Sequence, residues 1–260
     1  METVQLAPSM GVEVTDVDLR QVSDSVSLGG LERLFNEESL LLFRDQPLSA
    51  EEGRRFVGQF GPLVEGIGTV SNETATGRGQ LEFHSERSFQ KDVPLRGLAL
   101  QARRVTDVGG ATLFVNCVAA CRDLPDDLRA ELEGVDTLHR FDPRVRLGSA
   151  YGEGSEVPEG GWHTTHPAIW QHPVTGVPIL YVSPWFTRGI VGMDDDEGNA
   201  LLSRVFDHLL QPNFRYRHEW HQDDFLLWDN FALIHARESY IESNPRVLSK
   251  YEFGLRESVR

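Results

Sequence analysis

Residues 225–235 carry the pattern from which the fold can be worked out, and they read Phe-Leu-Leu-Trp-Asp-Asn-Phe-Ala-Leu-Ile-His. An apolar run of strand length is followed by a polar Asp-Asn pair, and a second apolar run then ends in His235. Short apolar runs bounded by turn residues are typical of buried strands. The stretch therefore predicts a strand, a polar turn and an apolar run that carries a histidine at its end.

The same alternation of short strands and turns continues through the chain from residue 80 onward. A turn at Val108-Gly109-Gly110 separates the predicted strands Leu95–Arg104 and Thr112–Val115. Further strands are predicted at Thr165–Gln171, Val177–Ser183, Phe214–Trp220, Phe225–Asp229 and Val247–Phe253. Many short strands with few helices predict a mainly β fold with flanking helices, of the sandwich or jelly-roll type.

Helices are predicted on either side of these strands. Ser49-Ala50-Glu51-Glu52 has the pattern of a capping box, which opens a helix that should end near Gly61-Pro62. Other helices are predicted at Gly30–Asn36, at Pro125–Glu133 and from Asp194 to about Leu210, and a buried strand at Ser39–Arg44. No repeat or linker divides the sequence, so residues 1–260 are expected to form a single domain.

The segment Asp142–Gly161 differs in composition from the rest of the chain. It contains five glycines and two prolines in 20 residues. Loops of this length in a compact domain are usually functional or disordered. We therefore predict a long mobile loop that could serve as a lid over an active site.

Composition and charge exclude several classes of protein. The 260 residues are 40% hydrophobic and 25% charged, as in ordinary globular proteins, and the net charge of −15 argues against nucleic acid as a partner. No apolar run approaches the roughly 20 residues that a bilayer requires, and no secretory signal is visible at the start. The sequence has only two cysteines, Cys117 and Cys121, which are expected to be buried thiols on a helix. Because two cysteines cannot form a disulfide framework, a cytoplasmic protein is predicted. A homo-oligomer is compatible with this composition.

Phe83-His84-Ser85-Glu86 is the sharpest local signal for chemistry. On a strand, residues i and i+2 project to the same face, so His84 and Glu86 would enter one pocket. An imidazole and a carboxylate are two of the three ligands in the 2-His-1-carboxylate triad that holds non-haem Fe(II). The competing interpretation is a histidine–glutamate pair on the protein surface.

The remaining candidates lie near the end of the chain. His235 could supply the second histidine, or it could be a hydrogen-bonded histidine of the core. Arg246 and Lys250 follow at even spacing on a predicted strand, with the apolar Leu248 between them, which suggests that they bind an anion. The competing interpretation is a pair of solvated charges on an edge strand.

Together, these segments resemble the taurine dioxygenase / clavaminate synthase-like family of Fe(II)/2-oxoglutarate dioxygenases. The similarity runs in order along nearly the whole chain. It is carried by Leu41–Leu48 with Phe60-Gly61, His84-x-Glu86, Gly109-Gly110-Ala111-Thr112, His172–Gly176 through Phe186-Thr187, Trp228-Asp229-Asn230-x4-His235 and Arg246.

The resemblance implies a double-stranded β-helix that holds one Fe(II) and uses 2-oxoglutarate and O2 as cosubstrates. It implies that His84, Glu86 and His235 are the iron ligands and the catalytic centre. It also implies that Thr112 and Arg246 bind the far carboxylate of 2-oxoglutarate. An arginine fork suits that carboxylate because it can donate two parallel charge-assisted hydrogen bonds.

The resemblance implies substrate contacts for Gln80, Phe186 and Lys250. Two positions depart from the commoner family pattern: Glu86 stands where Asp is usual, and Lys250 stands where taurine dioxygenase has an arginine that grips the substrate sulfonate. Lysine is a point charge and not a fork, so taurine itself is not expected as the substrate.

The resulting prediction is an oxygenase that hydroxylates an unactivated C–H bond of a small polar or anionic molecule, such as an amino-acid-like intermediate of secondary metabolism. One alternative is a catabolic dioxygenase of sulfonates or xenobiotic acids, which would share the iron site and differ in the pocket. The other alternative, from a different class, is a jelly-roll binding protein without catalysis.

Two other histidine pairs are candidates for metal sites. His163 and His166 form one H-x-x-H pattern, and His218 and His221 form another. Zinc proteases instead use H-E-x-x-H on a helix, where positions i and i+4 share a face. Both patterns here are expected in strands or loops, so neither is favoured as a metal site.

Overall fold

The computed structural model describes residues 1–23, 25–64, 68–71, 79–91, 95–105, 109–142, 160–239 and 246–256. Strands dominate this part of the chain, as the sequence predicted. The described α-helices are α1 (Ser25–Glu38), α2 (Ala50–Val57), α3 (Cys117–Arg122), α4 (Asp126–Leu132) and α5 (Asp195–Leu209), with a 3-10 turn at Pro212–Phe214.

The strands of the first half are β1 (Glu2–Ala7), β2 (Met10–Thr15), β3 (Leu40–Phe43), β4 (Leu63–Val64), β5 (Thr69–Ser71), β6 (Leu81–His84), β7 (Leu95–Arg104) and β8 (Thr112–Asn116). Those of the second half are β9 (Asp136–Phe141), β10 (Trp162–Pro167), β11 (Ile169–Gln171), β12 (Pro178–Leu180), β13 (Thr187–Ile190), β14 (Arg215–His218), β15 (Phe225–Asp229), β16 (Leu233–Arg237) and β17 (Val247–Gly254).

The largest sheet has the order β1-β2-β3-β15-β7-β17-β4, and β5 also pairs with β17. Its central strands are covered on both faces. Along β3, Leu41 and Phe43 pack with helices α1 and α2, while Leu40 and Leu42 pack on the opposite face. Because side chains alternate between the faces of a strand, a continuous apolar run is what a strand buried on both sides requires.

A four-stranded sheet of order β14-β8-β16-β6 lies against the inner face of the large sheet. Phe114 and Leu233 of this sheet pack in one cluster with Leu98 and Trp228 of the large sheet. Smaller sheets of order β10-β9-β13 and β11-β12 continue beyond it. Two sheets that face each other across an apolar layer are the jelly-roll arrangement that the sequence predicted.

The turn between β15 and β16 is built as its sequence indicates. Asp229 Oδ1 accepts hydrogen bonds from the backbone N–H groups of Phe231 and Ala232, at 2.9 and 3.2 Å. Asp229 Oδ2 accepts from Arg96 and lies 2.9 Å from His172 Nε2. The buried aspartate thus fixes the turn that sends the chain from the large sheet to the four-stranded sheet.

Several predicted elements are confirmed with small shifts in their ends. The capping box at Ser49 is present, with Ser49 Oγ accepting from the Glu52 N–H and Glu52 accepting from the Ser49 N–H. Cys117 and Cys121 lie on α3 as free, buried thiols. Helix α5 begins after Asp194, whose side chain caps it.

Other predicted boundaries were wrong. Helix α2 ends at Val57 and not near Gly61-Pro62, because the N–H of Gly58 closes the last turn. The predicted strand Thr165–Gln171 is two strands that are separated at Ala168. The predicted strand Phe214–Trp220 is reduced to β14, because the chain before it forms a 3-10 turn.

Residues 143–159 of the predicted lid loop lie outside the described residues. In the described part of the chain, no helix combines the length and the apolar character that crossing a membrane requires.

Candidate active site

Two of the predicted metal ligands come from neighbouring strands of the four-stranded sheet. His84 is the last residue of β6, and His235 lies on β16 directly opposite it in the antiparallel register. Their rings are 4.3 Å apart between centroids. His235 also contacts the rings of Trp228 and Phe114, at 5.0 and 6.4 Å, so it lies on the inner face of the sheet.

Glu86 reaches the same place from a turn and not from a strand. The sequence argument placed His84 and Glu86 on one strand face, and that is wrong, because β6 ends at His84. Asn230 holds the turn in place. Its Oδ1 accepts from the N–H of Glu86 at 2.8 Å, and its Nδ2 donates to the carbonyl of Glu86 at 3.0 Å.

The three side chains converge into the cluster that the sequence predicted. One ligand atom from each of His84, Glu86 and His235 can be chosen so that all three atoms lie within 4.8 Å of one another. Among the described residues, these three side chains form the group of histidine, cysteine and acidic residues whose ligand atoms lie close enough together to hold a metal ion. Two imidazoles and one carboxylate form the donor set of a non-haem Fe(II) site.

The protonation states of the two imidazoles suit metal binding. His84 Nδ1 lies 2.8 Å from the carbonyl oxygen of Glu82, which can only accept, so the proton is on Nδ1 and the Nε2 lone pair is available. His235 Nδ1 is buried and has no hydrogen-bond partner among the described residues. Burial lowers the pKa of both rings, which keeps them neutral at pH 7.

Glu86 is ionised and is paired with Lys250. Burial disfavours its carboxylate, but the ammonium of Lys250 outweighs burial and lowers the pKa of Glu86 to about 2. Lys250 Nζ lies 2.7 Å from Glu86 Oε2 and 2.7 Å from Glu252 Oε1. Lys250, which the sequence predicted to bind an anionic substrate, therefore contacts two carboxylates of the protein.

Arg246 lines a cavity of about 400 Å³, and Thr112 is hydrogen-bonded to another residue of the cavity wall. Arg246 is buried immediately before β17, lines the cavity, and donates from Nε to the carbonyl of Gly110 at 3.1 Å. Thr112 begins β8, and its hydroxyl accepts from Nε1 of Trp220, another residue of the cavity wall, at 3.0 Å. The residues that line this cavity do not include the three clustered side chains.

Phe186, which was predicted to contact the substrate, lies close to the cluster. Its ring lies 5.5 Å from that of His84, and the ring of Trp185, stacked on Phe186, lies 4.7 Å from His84. The N–H of Trp185 donates to the carbonyl of Phe83, which fixes this segment to β6. Gln80, the third predicted substrate residue, is an exposed residue just before β6.

The two H-x-x-H patterns lie in strands or loops, as expected. His163 and His166 lie on β10, where His163 is exposed and His166 Nε2 is 2.7 Å from the carbonyl of Ser88. His218 ends β14 beside Asp224, and His221 Nδ1 lies 2.8 Å from Arg44. Neither pair belongs to the metal-binding cluster found in the described residues.

Comparison with known proteins identifies the family. Residues 2–250 match the family described as "Taurine catabolism dioxygenase TauD, TfdA family". The chain belongs to this family. The TauD/TfdA match and the His84, Glu86, His235 cluster together make it an Fe(II)- and 2-oxoglutarate-dependent oxygenase. The expectation of a jelly-roll protein without catalysis is therefore not supported.

Relatives within the TauD/TfdA family differ in what their names say they act on. The chain is 31% identical to "Alpha-ketoglutarate-dependent 2,4-dichlorophenoxyacetate dioxygenase" of Cupriavidus pinatubonensis, covering 94% of each chain. It is 27% identical to "Pentalenolactone F synthase" of Streptomyces avermitilis, over 65% of this chain and 60% of that one. A structure of AAD-2 in complex with Mn(II) and N-oxalylglycine superposes with a TM-score of 0.85 and 28% identity, covering 98% of both chains, and confirms the double-stranded β-helix.

Sequence reasoning did not find the role of Asn230 or of Glu252. Asn230 was noticed only as part of a motif, yet it holds the backbone of Glu86. A polar Asp-Asn pair between two apolar runs was the available signal, because buried polar side chains must find partners. Glu252 gave no signal, since an acidic residue on a strand is usually taken as solvent-exposed.

Proposed function

We propose that this oxygenase hydroxylates an unactivated C–H bond of a small molecule, with His84, Glu86 and His235 holding the iron. The observation that carries the proposal is the convergence of these three side chains, whose ligand atoms lie within 4.8 Å. When bound, the iron supplies the activation of O2 that oxidation of such a bond requires. The protein contributes the position of the reactants and the exclusion of water.

We further propose that Thr112 and Arg246 bind the far carboxylate of 2-oxoglutarate. Support comes from the burial of both side chains and from the cavity that Arg246 lines. A guanidinium donates in a planar fork that matches a carboxylate, and a threonine hydroxyl can add a further hydrogen bond.

The prime substrate is proposed to be a small polar molecule whose apolar part packs on Trp185 and Phe186. Those rings lie beside His84, so a substrate held against them is adjacent to the metal site and shielded from water. The anionic group that was expected from Lys250 has less support, because Lys250 is paired with Glu86 and Glu252. The chain is proposed to act in the cytoplasm, which suits its two buried free thiols.

A dioxygenase of aryloxy acids is the second candidate. The rings beside His84 could stack on an aromatic substrate, and a relative with 31% identity is named for 2,4-dichlorophenoxyacetate. A relative named for pentalenolactone F synthesis keeps the biosynthetic candidate open. The two candidates share the iron site and differ only in the prime substrate.

The cofactor assignment is tested by adding Fe(II) and then 2-oxoglutarate under anaerobic conditions. The wild-type protein should develop a visible charge-transfer absorption band, and His235→Ala should develop none while remaining folded by circular dichroism. His163→Ala is the matched control, because His163 is an exposed histidine outside the cluster. Loss of the band in both variants, or in neither, would contradict the ligand assignment.

The substrate class is tested by a screen scored by release of succinate. One arm contains amino acids and their derivatives, and the other contains phenoxyacetic and phenoxypropionic acids. Release that rises only in the second arm would replace the first candidate with the aryloxy-acid dioxygenase.

A further inference from the structure

We infer that Lys250 is a positioning residue for the Glu86 ligand and not an anchor for the prime substrate. The inference rests on the proposed function, because it takes Glu86 to be an iron ligand. Its basis is the chain of ion pairs that runs from the Glu86 carboxylate into strand β17.

Lys250 is buried between two carboxylates. Its side chain is 10% exposed, and Nζ lies 2.7 Å from Glu86 Oε2 and 2.7 Å from Glu252 Oε1. Both distances are those of charge-assisted hydrogen bonds. Of the three N–H donors of the ammonium, two are therefore used by acidic groups of the protein itself.

Glu252 continues the chain of ion pairs back to the turn. Its side chain is 3% exposed, and its Oε2 accepts from Arg87, the residue after Glu86, at 2.5 Å. Glu86, Lys250, Glu252 and Arg87 thus alternate in sign and carry two negative and two positive charges. With two of its N–H donors used by these carboxylates, the ammonium of Lys250 has at most one left for an additional anion.

This arrangement solves a problem that a glutamate ligand creates. Glutamate has one more rotatable bond than aspartate, so its carboxylate must lose more freedom before it can hold a metal ion at a fixed point. Asn230 fixes the backbone of Glu86, and Lys250 is the residue of the described chain that donates a hydrogen bond to its carboxylate. In the described residues, the hydrogen bond from Lys250 reaches Oε2 of Glu86, which leaves Oε1 available to a metal ion.

The inference is tested by measuring metal affinity, which does not depend on turnover. Co(II) is titrated anaerobically into wild type, Lys250→Met, Lys250→Arg and His235→Ala, with a chromophoric chelator as competitor and the visible Co(II) spectrum as a measure of coordination. We expect Lys250→Met to bind about 10- to 100-fold more weakly with an altered spectrum, as is typical when a partner of a ligating group is removed. Lys250→Arg, which keeps the charge, should recover much of the affinity.

Because Lys250→Met leaves Glu252 with one cation fewer, a second variant guards against misfolding. Lys250→Met/Glu252→Gln removes the acid together with the base, so the buried charges again balance. It should fold and should still show weakened Co(II) binding, because the Glu86 carboxylate remains unanchored.

The outcomes separate the inference from the proposed function. If wild type binds no Co(II), or His235→Ala binds it as tightly as wild type, the proposed metal site is wrong. If His235→Ala loses binding while Lys250→Met keeps wild-type affinity and spectrum, the metal site stands and the role of Lys250 is refuted. Tighter binding in Lys250→Met would also refute it, since it would show that the ammonium only competes with the metal for Glu86.

Discussion

Arg246 and Lys250 lie four residues apart at the start of the last strand, but their surroundings are opposite. Arg246 lines a cavity and donates to the carbonyl of Gly110, whereas Lys250 lies between two carboxylates. A guanidinium on a cavity wall is placed where the carboxylate of a ligand can reach it, while an ammonium already neutralised by two carboxylates of the protein gains little from an incoming anion. Equal charge and regular spacing in the sequence therefore do not imply equal function.

The largest effect is expected from removing the arginine of this pair. Arg246→Ala should raise the 2-oxoglutarate concentration needed for half-maximal turnover by about 30-fold or more, which corresponds to a loss of at least about 2 kcal/mol. Arg246→Lys keeps the charge but loses the planar fork, so its 2-oxoglutarate requirement should lie between those of Arg246→Ala and wild type. If the 2-oxoglutarate requirement of Arg246→Ala equals that of wild type, Arg246 does not bind 2-oxoglutarate, and its proposed difference in function from Lys250 is wrong.

A smaller effect is expected from loosening the turn that Lys250 serves. Asn230→Ala removes the buried hydrogen bonds to Glu86, so the free energy of unfolding should fall by about 1–3 kcal/mol and Co(II) should bind more weakly. Chemical denaturation and the Co(II) titration measure the two quantities.

The control for this variant is Asn116→Ala, which removes a buried asparagine whose side chain bonds to the start of α3 and to the carbonyl of Ser9 and not to the turn of Glu86. Asn116→Ala should lower the free energy of unfolding by roughly 0.5–2 kcal/mol, which is comparable to the effect of Asn230→Ala, and should leave the Co(II) affinity unchanged. Equal loss of metal affinity in both variants would show that Asn230 acts only through general stability.

The hydroxyl of Thr112 should matter less than the guanidinium of Arg246. Thr112→Val removes one neutral hydrogen-bonding group at nearly constant volume, at a cost of about 1 kcal/mol, so the 2-oxoglutarate requirement should rise roughly 5-fold. Thr112→Ser should retain most of the wild-type affinity. If Thr112→Val needs no more 2-oxoglutarate than wild type, the Thr112 hydroxyl does not contribute to binding the far carboxylate of 2-oxoglutarate.

The smallest effect is expected at a surface counterpart of Lys250. Arg204 on α5 also pairs with two carboxylates, those of Asp127 and Glu131 on α4, but all three side chains are exposed. Water and salt screen such pairs, so Arg204→Ala should leave the free energy of unfolding, measured by chemical denaturation, and the Co(II) affinity close to those of wild type. A larger loss would mean that burial is not what makes the Lys250 network important.

The site could be predicted in part because its signals are local. His84, Glu86 and His235 were found from residue type, spacing and resemblance, since a metal site needs donor groups that few other environments use together. The local reason given for His84 and Glu86 was nevertheless wrong, because strand β6 ends at His84 and the turn after it brings Glu86 back. Hydrogen bonding to Asn230, 144 residues away, produces that convergence.

By itself, the sequence determined the buried strands, the caps of the helices and the types of ligand, because alternation, capping and donor chemistry act over a few residues. The partner of each buried charge was decided only by the tertiary structure. Lys250 meets Glu86 because β17 passes beside the turn after β6, a contact between residues 164 positions apart. Electrostatic interactions depend on distance in space and on burial, and neither can be read from spacing along the chain.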